Sequence, residues 1–281
     1  MNLIRTLFNS KEFSIKFPAY YDNRELLLSL IENVFDYLPD SENKIANQSL
    51  DQIHSFLWEI QLMHLLKYQG YELQRGGLEG PDIICKKDGK TFLIECMLVE
   101  NWEKGGRGNA YYSSHEEDKI LKYTGAIVEK GKQFEKWSEK KLIPANSIRI
   151  IAIGGALQSL SDIHTGIPDI VKSVYPIGNS YYSVPLDGPE RYLVNHEPRN
   201  RIIKVSGAEI PTDLFLKEKF QNISGLIYNP YSILQRDVSE GKGYIVVSNH
   251  GAEESIPINL IIGSLFYYID DKGNLRHKSV E

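Results

Sequence analysis

Between residues 80 and 99 the chain reads GPDIICKKDGKTFLIECMLV. Residues 82–87 and 90–99 are rich in Ile, Phe, Leu and Val, a composition typical of β-strands. The two runs are separated by Asp88-Gly89, a dipeptide that favours a two-residue type I′ turn. This stretch therefore predicts an antiparallel β-hairpin.

The turn also fixes which residues of the hairpin face each other. Counting outward from Asp88-Gly89 pairs Lys87 with Lys90 and places Asp82 opposite Glu95. Side chains at opposite positions share one face of the sheet, with Cβ atoms about 4.5–5.5 Å apart. Two carboxylates at that distance repel each other unless a cation lies between them, and Mg²⁺ prefers carboxylate oxygens. Asp82 and Glu95 are therefore candidate ligands for Mg²⁺, with Mn²⁺ as the substitute.

The alternative is that both acids face solvent on an exposed sheet. Two features of the sequence count against it. Gly80-Pro81 begins the first strand with little side-chain volume next to Asp82. Glu95 lies inside an apolar run, where a solvated glutamate is unexpected. An error in the predicted register would also separate the two acids.

The segments around the hairpin complete a recognisable order of elements. Apolar residues at three- and four-residue steps predict one helix over residues 24–37 and another over 49–68. Residues 71–74 and 148–153 read as strands, and a long charged helix is predicted over 115–141. From residue 49 to 155 the order is helix, three strands, helix, strand. Further strand-like segments and a helix-like patch over 213–220 follow without a linker, which indicates one continuous α/β domain.

This order and its acids resemble the PD-(D/E)XK nuclease superfamily. The matching residues are Pro81-Asp82 and Glu95 on the hairpin, and Glu59 on the preceding helix, within residues 49–155. The resemblance implies a restriction-endonuclease-like core, a mixed sheet flanked by helices in the order α-β-β-β-α-β. Residues 1–48 would form an N-terminal helical segment, and 156–281 a C-terminal α/β extension packed on the same domain. It also implies that Asp82 and Glu95 bind Mg²⁺ with help from Glu59, so that a metal-activated water attacks a phosphodiester.

The sequence departs from this superfamily at one signature position. The family has a lysine two residues after the glutamate, whereas this chain has Met97, which cannot orient a water or stabilise an oxyanion. In some members the lysine lies on the following helix, often with a glutamine nearby. Lys130 and Lys132, together with Gln133, are the candidates for that catalytic role. The alternative is that these lysines belong to a solvated basic face of the helix.

A nucleic-acid partner follows from the same resemblance, with DNA favoured over RNA. The net charge of −5, from 32 basic and 37 acidic residues, argues against a broad basic surface but permits a local one. The candidate phosphate contacts are Lys104 and Arg107, in a glycine-rich loop, and Lys119 and Lys122 on the long helix. A flexible surface loop is an equally good interpretation of the glycine-rich segment.

Composition sets the remaining expectations. Hydrophobic residues make up 42% and charged residues 25% of the chain, an ordinary globular balance that excludes a disordered protein. Two cysteines provide no disulfide framework, and no apolar run approaches the length of a membrane span. We therefore expect a cytoplasmic protein without a membrane partner, and a homodimer is compatible with the sequence.

Three functions remain open at this point. The first is a Mg²⁺-dependent nuclease acting on DNA or RNA. The second is a pseudo-nuclease that keeps the fold but serves as a nucleic-acid or protein interaction module, and Met97 is its main support. The third is a structural or regulatory α/β protein in which the two acids are coincidental.

Overall fold

The computed structural model describes residues 1–38, 52–77, 79–99, 115–155, 166–183, 193–204 and 206–281. The first half of the chain contains most of the helices and four strands of one sheet. In chain order its elements are α1 (Asn2–Phe8), α2 (Lys11–Lys16), α3 (Pro18–Asp22), α4 (Arg24–Val34), α5 (Ile53–Tyr68), β1 (Glu72–Gln74), β2 (Ile83–Lys87), β3 (Lys90–Leu98), α6 (His115–Glu139) and β4 (Ile148–Gly154).

The second half is mostly strands. Its elements are α7 (Asp169–Lys172), β5 (Ile177–Ser183), β6 (Leu193–Pro198), β7 (Arg201–Ile203), β8 (Glu209–Pro211), β9 (Gly225–Asn229), β10 (Ile245–Ser248), β11 (Leu265–Ile269) and β12 (Leu275–Ser279). The helix predicted over 213–220 is instead two short 3₁₀ turns, Leu214–Leu216 and Glu218–Phe220. Lys217 between them has an extended backbone, which prevents a continuous helix.

The predicted hairpin is confirmed, including its register. Lys87 pairs with Lys90 and Ile83 pairs with Ile94. Asp88 and Gly89 both have positive φ, 50° and 73°, as a type I′ turn requires. Asp82 and Glu95 are the next residues outward along the two strands. The local signal in the turn therefore determined the register of the hairpin.

The strands of both halves form one eight-stranded mixed sheet in the order β1-β2-β3-β4-β9-β10-β11-β12. Strands β3, β4 and β9 run parallel, and β2 is antiparallel to β3. The predicted core ends at residue 155, but the sheet does not end there, because β9 from the second half pairs directly with β4. Among the described residues, the antiparallel pairs β5–β6 and β7–β8 form two small sheets outside this one. The protein is therefore an α/β fold with a large mixed sheet flanked by helices.

Two hydrophobic cores cover the two faces of the sheet. Along β3, Phe92, Ile94 and Cys96 pack in the core that contains α1, α4 and α5. Leu93, and Met97 in part, pack in the other core with α6 and α7. Glu95 lies two residues from both Leu93 and Met97, so its side chain is on the same face of the sheet as theirs, the face covered by α6.

The two longest helices, α5 and α6, are each anchored on a central strand. On one face, the indole Nε1 of Trp58 in α5 donates to the carbonyl of Ala152 in β4 at 3.2 Å. On the other face, Tyr123 in α6 is fully buried, and its hydroxyl lies 3.0 Å from that of Tyr228 in β9. Of the helices in the described ranges, none combines the length and apolar character that a bilayer crossing requires.

Candidate active site

The two acids of the hairpin lie just beyond the last β2–β3 pair, where Asp82 precedes β2 and Glu95 lies in β3 beside β4. Asp82 Oδ2 accepts a hydrogen bond from the backbone amide of Cys96 at 2.9 Å. This bond occupies an amide beyond the last β2–β3 pair, Ile83–Ile94. Asp82 is half-buried, and the bond holds its carboxylate against the strand that carries Glu95.

Glu95 is a buried acid. Only 3% of the residue is exposed, so the alternative of a solvated glutamate is wrong. Its Oε2 atom is buried and has no hydrogen-bond partner among the described residues. A buried carboxylate oxygen without a partner is costly, and native proteins retain such groups mainly where a ligand, ion or water completes them.

Helix α6 brings a lysine to this pair. Lys130 Nζ lies 2.7 Å from Glu95 Oε1, and the lysine side chain is 16% exposed. Gln133, one turn further along, places its Oε1 atom 3.5 Å from the same ammonium group. The structure therefore brings together Asp82, Glu95, Lys130 and Gln133. Lys132 is exposed, since it projects from another side of the helix.

The charges in this cluster shift one another's ionisation. Burial and the carboxylate of Asp82 raise the pKa of Glu95 to about 7, although the ammonium of Lys130 opposes the shift. Burial alone would lower the pKa of Lys130, but the carboxylates of Glu95 and Asp82 raise it overall. Lys130 therefore stays protonated, whereas Glu95 ionises at a higher pH than an ordinary glutamate.

The donor set fits a divalent cation that keeps most of its water. Mg²⁺ is usually bound through one or two carboxylates, with waters and substrate phosphates as its other ligands. Asp82 and Glu95 supply two carboxylates, and Glu95 Oε2 is an acceptor without a partner. Within the described ranges, no group of three or more His, Cys, Asp or Glu residues is arranged to hold a metal. An ion at this pair would therefore depend on water and phosphate oxygens.

The other predicted site residues are less closely connected. Glu59 is buried on α5, and that helix packs against the face of β3 opposite to α6. Lys119 is buried and Lys122 half-buried on α6, two to three turns before Lys130. Met97 is half-buried against the core under α6. Lys104 and Arg107 lie outside the described residues.

Asn249, which the sequence does not indicate, holds the turn that packs against α6. Asn249 is buried, and its Nδ2 atom donates to the carbonyls of Phe220 and Ile223, at 2.9 and 2.8 Å. The turn over residues 220–223 packs against α6 beside Lys130. The sequence around Asn249 carries no local pattern that signals this contact, since its partners lie 26 and 29 residues away.

Comparisons with known proteins add no relative to this description. No family model, curated protein or solved structure matches the chain. The geometry around Asp82 and Glu95 is therefore the basis on which a function is assigned.

Proposed function

We propose that this protein is a Mg²⁺-dependent nuclease that hydrolyses phosphodiester bonds in DNA or RNA. The observation that carries the proposal is the contact between Lys130 and Glu95, with Nζ and Oε1 2.7 Å apart beside Asp82. Two acids on adjacent strands and a lysine from the next helix supply the groups that metal-assisted hydrolysis uses. Lys130 would replace the lysine that Met97 does not provide.

Each residue of the cluster has a distinct part in this proposal. Bound Mg²⁺ would lower the pKa of a coordinated water and offset charge on the phosphate. Asp82 and Glu95 would each bind the ion through carboxylate oxygen, and the amide of Cys96 fixes the orientation of Asp82. Lys130 would donate to the phosphate oxygen on which negative charge develops. Gln133 limits the positions of the lysine side chain.

A plasmid-nicking assay tests the proposal. The wild-type protein is incubated with supercoiled plasmid in Mg²⁺, Mn²⁺ or EDTA, and single-stranded DNA and RNA oligonucleotides are tested in parallel. We expect cleavage only with metal, and about 100-fold or greater loss in Asp82→Asn, Glu95→Gln and Lys130→Met. Lys136→Met is the matched control, because Lys136 is exposed on the same helix. Circular dichroism establishes that each variant is folded.

Two outcomes would decide against hydrolysis at this site. Full activity in Asp82→Asn would show that the cleavage occurs elsewhere or comes from a contaminant. A wild-type protein that binds nucleic acid but never cleaves it would instead support the interaction module. Met97 at the signature position favours that second function.

A further inference from the structure

Helix α6 approaches the turn over residues 220–223 through a glycine next to Lys130. A Cβ atom added at Gly131 would lie 3.0 Å from Ile223 Cδ1 and 3.7 Å from the ring of Phe220. Carbon atoms in ordinary contact are about 3.5–4.0 Å apart. The helix therefore packs closer to this turn than any residue with a side chain would allow without a shift.

The turn itself is held in place. Asn249 donates to the carbonyls of Phe220 and Ile223, and the amide of Ser224 donates to Arg149 in β4 at 2.7 Å. Ile223 is fully buried. Because the turn is tied to the sheet and closely packed, a side chain at position 131 would displace the helix rather than the turn.

We propose that Gly131 is a positioning residue that sets the distance between Lys130 and the Asp82–Glu95 pair. Lys130 precedes it directly in α6, and its Nζ atom is at hydrogen-bond distance from Glu95. A shift of a few tenths of an ångström in the helix would change the distance between Lys130 Nζ and Glu95 Oε1. The effect on cleavage rests on the proposed nuclease function, whereas the effect on the Lys130–Glu95 contact does not.

The same helix contains a matched control. Gly125 is exposed, and a Cβ atom added there would meet no atom within 4 Å. Valine at either position has the same intrinsic cost in a helix, since both residues lie in its interior. A difference between Gly131→Val and Gly125→Val therefore reports the contact with Ile223.

The experiment measures two properties of each variant. The first is metal-dependent plasmid nicking. The second is the ¹⁵N NMR signal of the Lys130 side-chain ammonium without metal, assigned by its loss in Lys130→Met. For Gly131→Val we expect about tenfold or greater loss of nicking and a shifted or missing ammonium signal. Gly125→Val should keep nicking within about threefold of wild type, with its signal unchanged.

Rescue by a second substitution separates positioning from general damage. Ile223→Ala removes Cδ1, the side-chain atom that lies closest to a Cβ added at position 131. The double variant Gly131→Val/Ile223→Ala should return nicking and the ammonium signal to the values of Ile223→Ala alone. If Gly131→Val does not fold, Gly131→Ala with Ile223→Val repeats the test. Gly131→Ala adds only a Cβ atom, and Ile223→Val removes only the Cδ1 atom that this Cβ would meet.

The possible results distinguish this inference from the proposed function. Equal behaviour of Gly131→Val and Gly125→Val in both measurements would overturn the positioning role. Failure of Ile223→Ala to restore a folded Gly131 variant would overturn it as well. If even the wild type does not cleave, the nuclease proposal fails, and the ammonium signal alone decides whether Gly131 positions Lys130.

Discussion

Replacing Lys130 by methionine removes the cation beside Glu95 and leaves a side chain of similar length. Glu95 would then keep a buried carboxylate with no partner on Oε2 and no ammonium on Oε1. Leaving one partner of a buried ion pair uncompensated typically costs about 3–5 kcal/mol. The carboxylate can avoid that cost by binding a proton, so the loss of stability should depend on pH.

The pKa of Glu95 sets the size of this effect. Since that pKa is already raised to about 7, protonating the group costs about 1.4 kcal/mol for each pH unit above 7. We therefore expect Lys130→Met to lose about 2 kcal/mol of unfolding free energy at pH 8.5 and almost none at pH 5.5. The sign follows from linkage, because an acid with a raised folded-state pKa stabilises the fold less as pH rises.

Urea unfolding at pH 5.5 and 8.5, without metal, measures this prediction. Lys136→Met is the control for loss of a lysine from the same helix, and it should show no pH-dependent loss. In a Glu95→Gln background the effect of Lys130→Met should not change with pH, because the titrating group is absent. An equal loss at both pH values, or a loss no larger than in Lys136→Met at pH 8.5, would show that the ionisation of Glu95 does not respond to the missing ammonium group.

Three further predictions concern the packing of helix α6, strand β9 and the turn over residues 220–223. Urea unfolding measures each of them. Gly125→Ala should raise the unfolding free energy by about 0.5–1 kcal/mol, since alanine favours the helix and nothing obstructs its Cβ; a loss would contradict this. Gly225→Ala should lower it by about 2–3 kcal/mol, because its Cβ would lie 2.3 Å from the carbonyl oxygen of Val247; wild-type stability would contradict this. Asn249→Ala should lower it by about 2–3 kcal/mol, as two backbone carbonyls lose their donor; a loss below about 1 kcal/mol would contradict this.

The hairpin was predictable because its determinants are local. Asp88-Gly89 fixes a type I′ turn, and strand alternation then places Asp82 and Glu95 on one face. The choice between Lys130 and Lys132 was not predictable from the same information. It depends on how α6 is rotated about its axis, which the packing of its buried stripe on the sheet determines.

Other features depend on contacts between distant segments. The pairing of β9 with β4 makes the second half of the chain part of the central sheet, and no sequence pattern near residue 155 indicates it. The support that Asn249 gives to the turn beneath Gly131 is of the same kind. Glu59, Lys104 and Arg107 stay predictions.

Titration calorimetry with Mn²⁺ measures whether Asp82 and Glu95 together bind a divalent cation, on which the proposed function depends. The control is Asp88→Asn, which removes an exposed carboxylate from the hairpin turn and keeps a side chain that tolerates positive φ. We expect a saturable binding heat in the wild type and in Asp88→Asn. We expect at least about tenfold weaker binding in Asp82→Asn and in Glu95→Gln. Mn²⁺ binding that is unchanged by both of these substitutions would show that the two acids do not form a metal site.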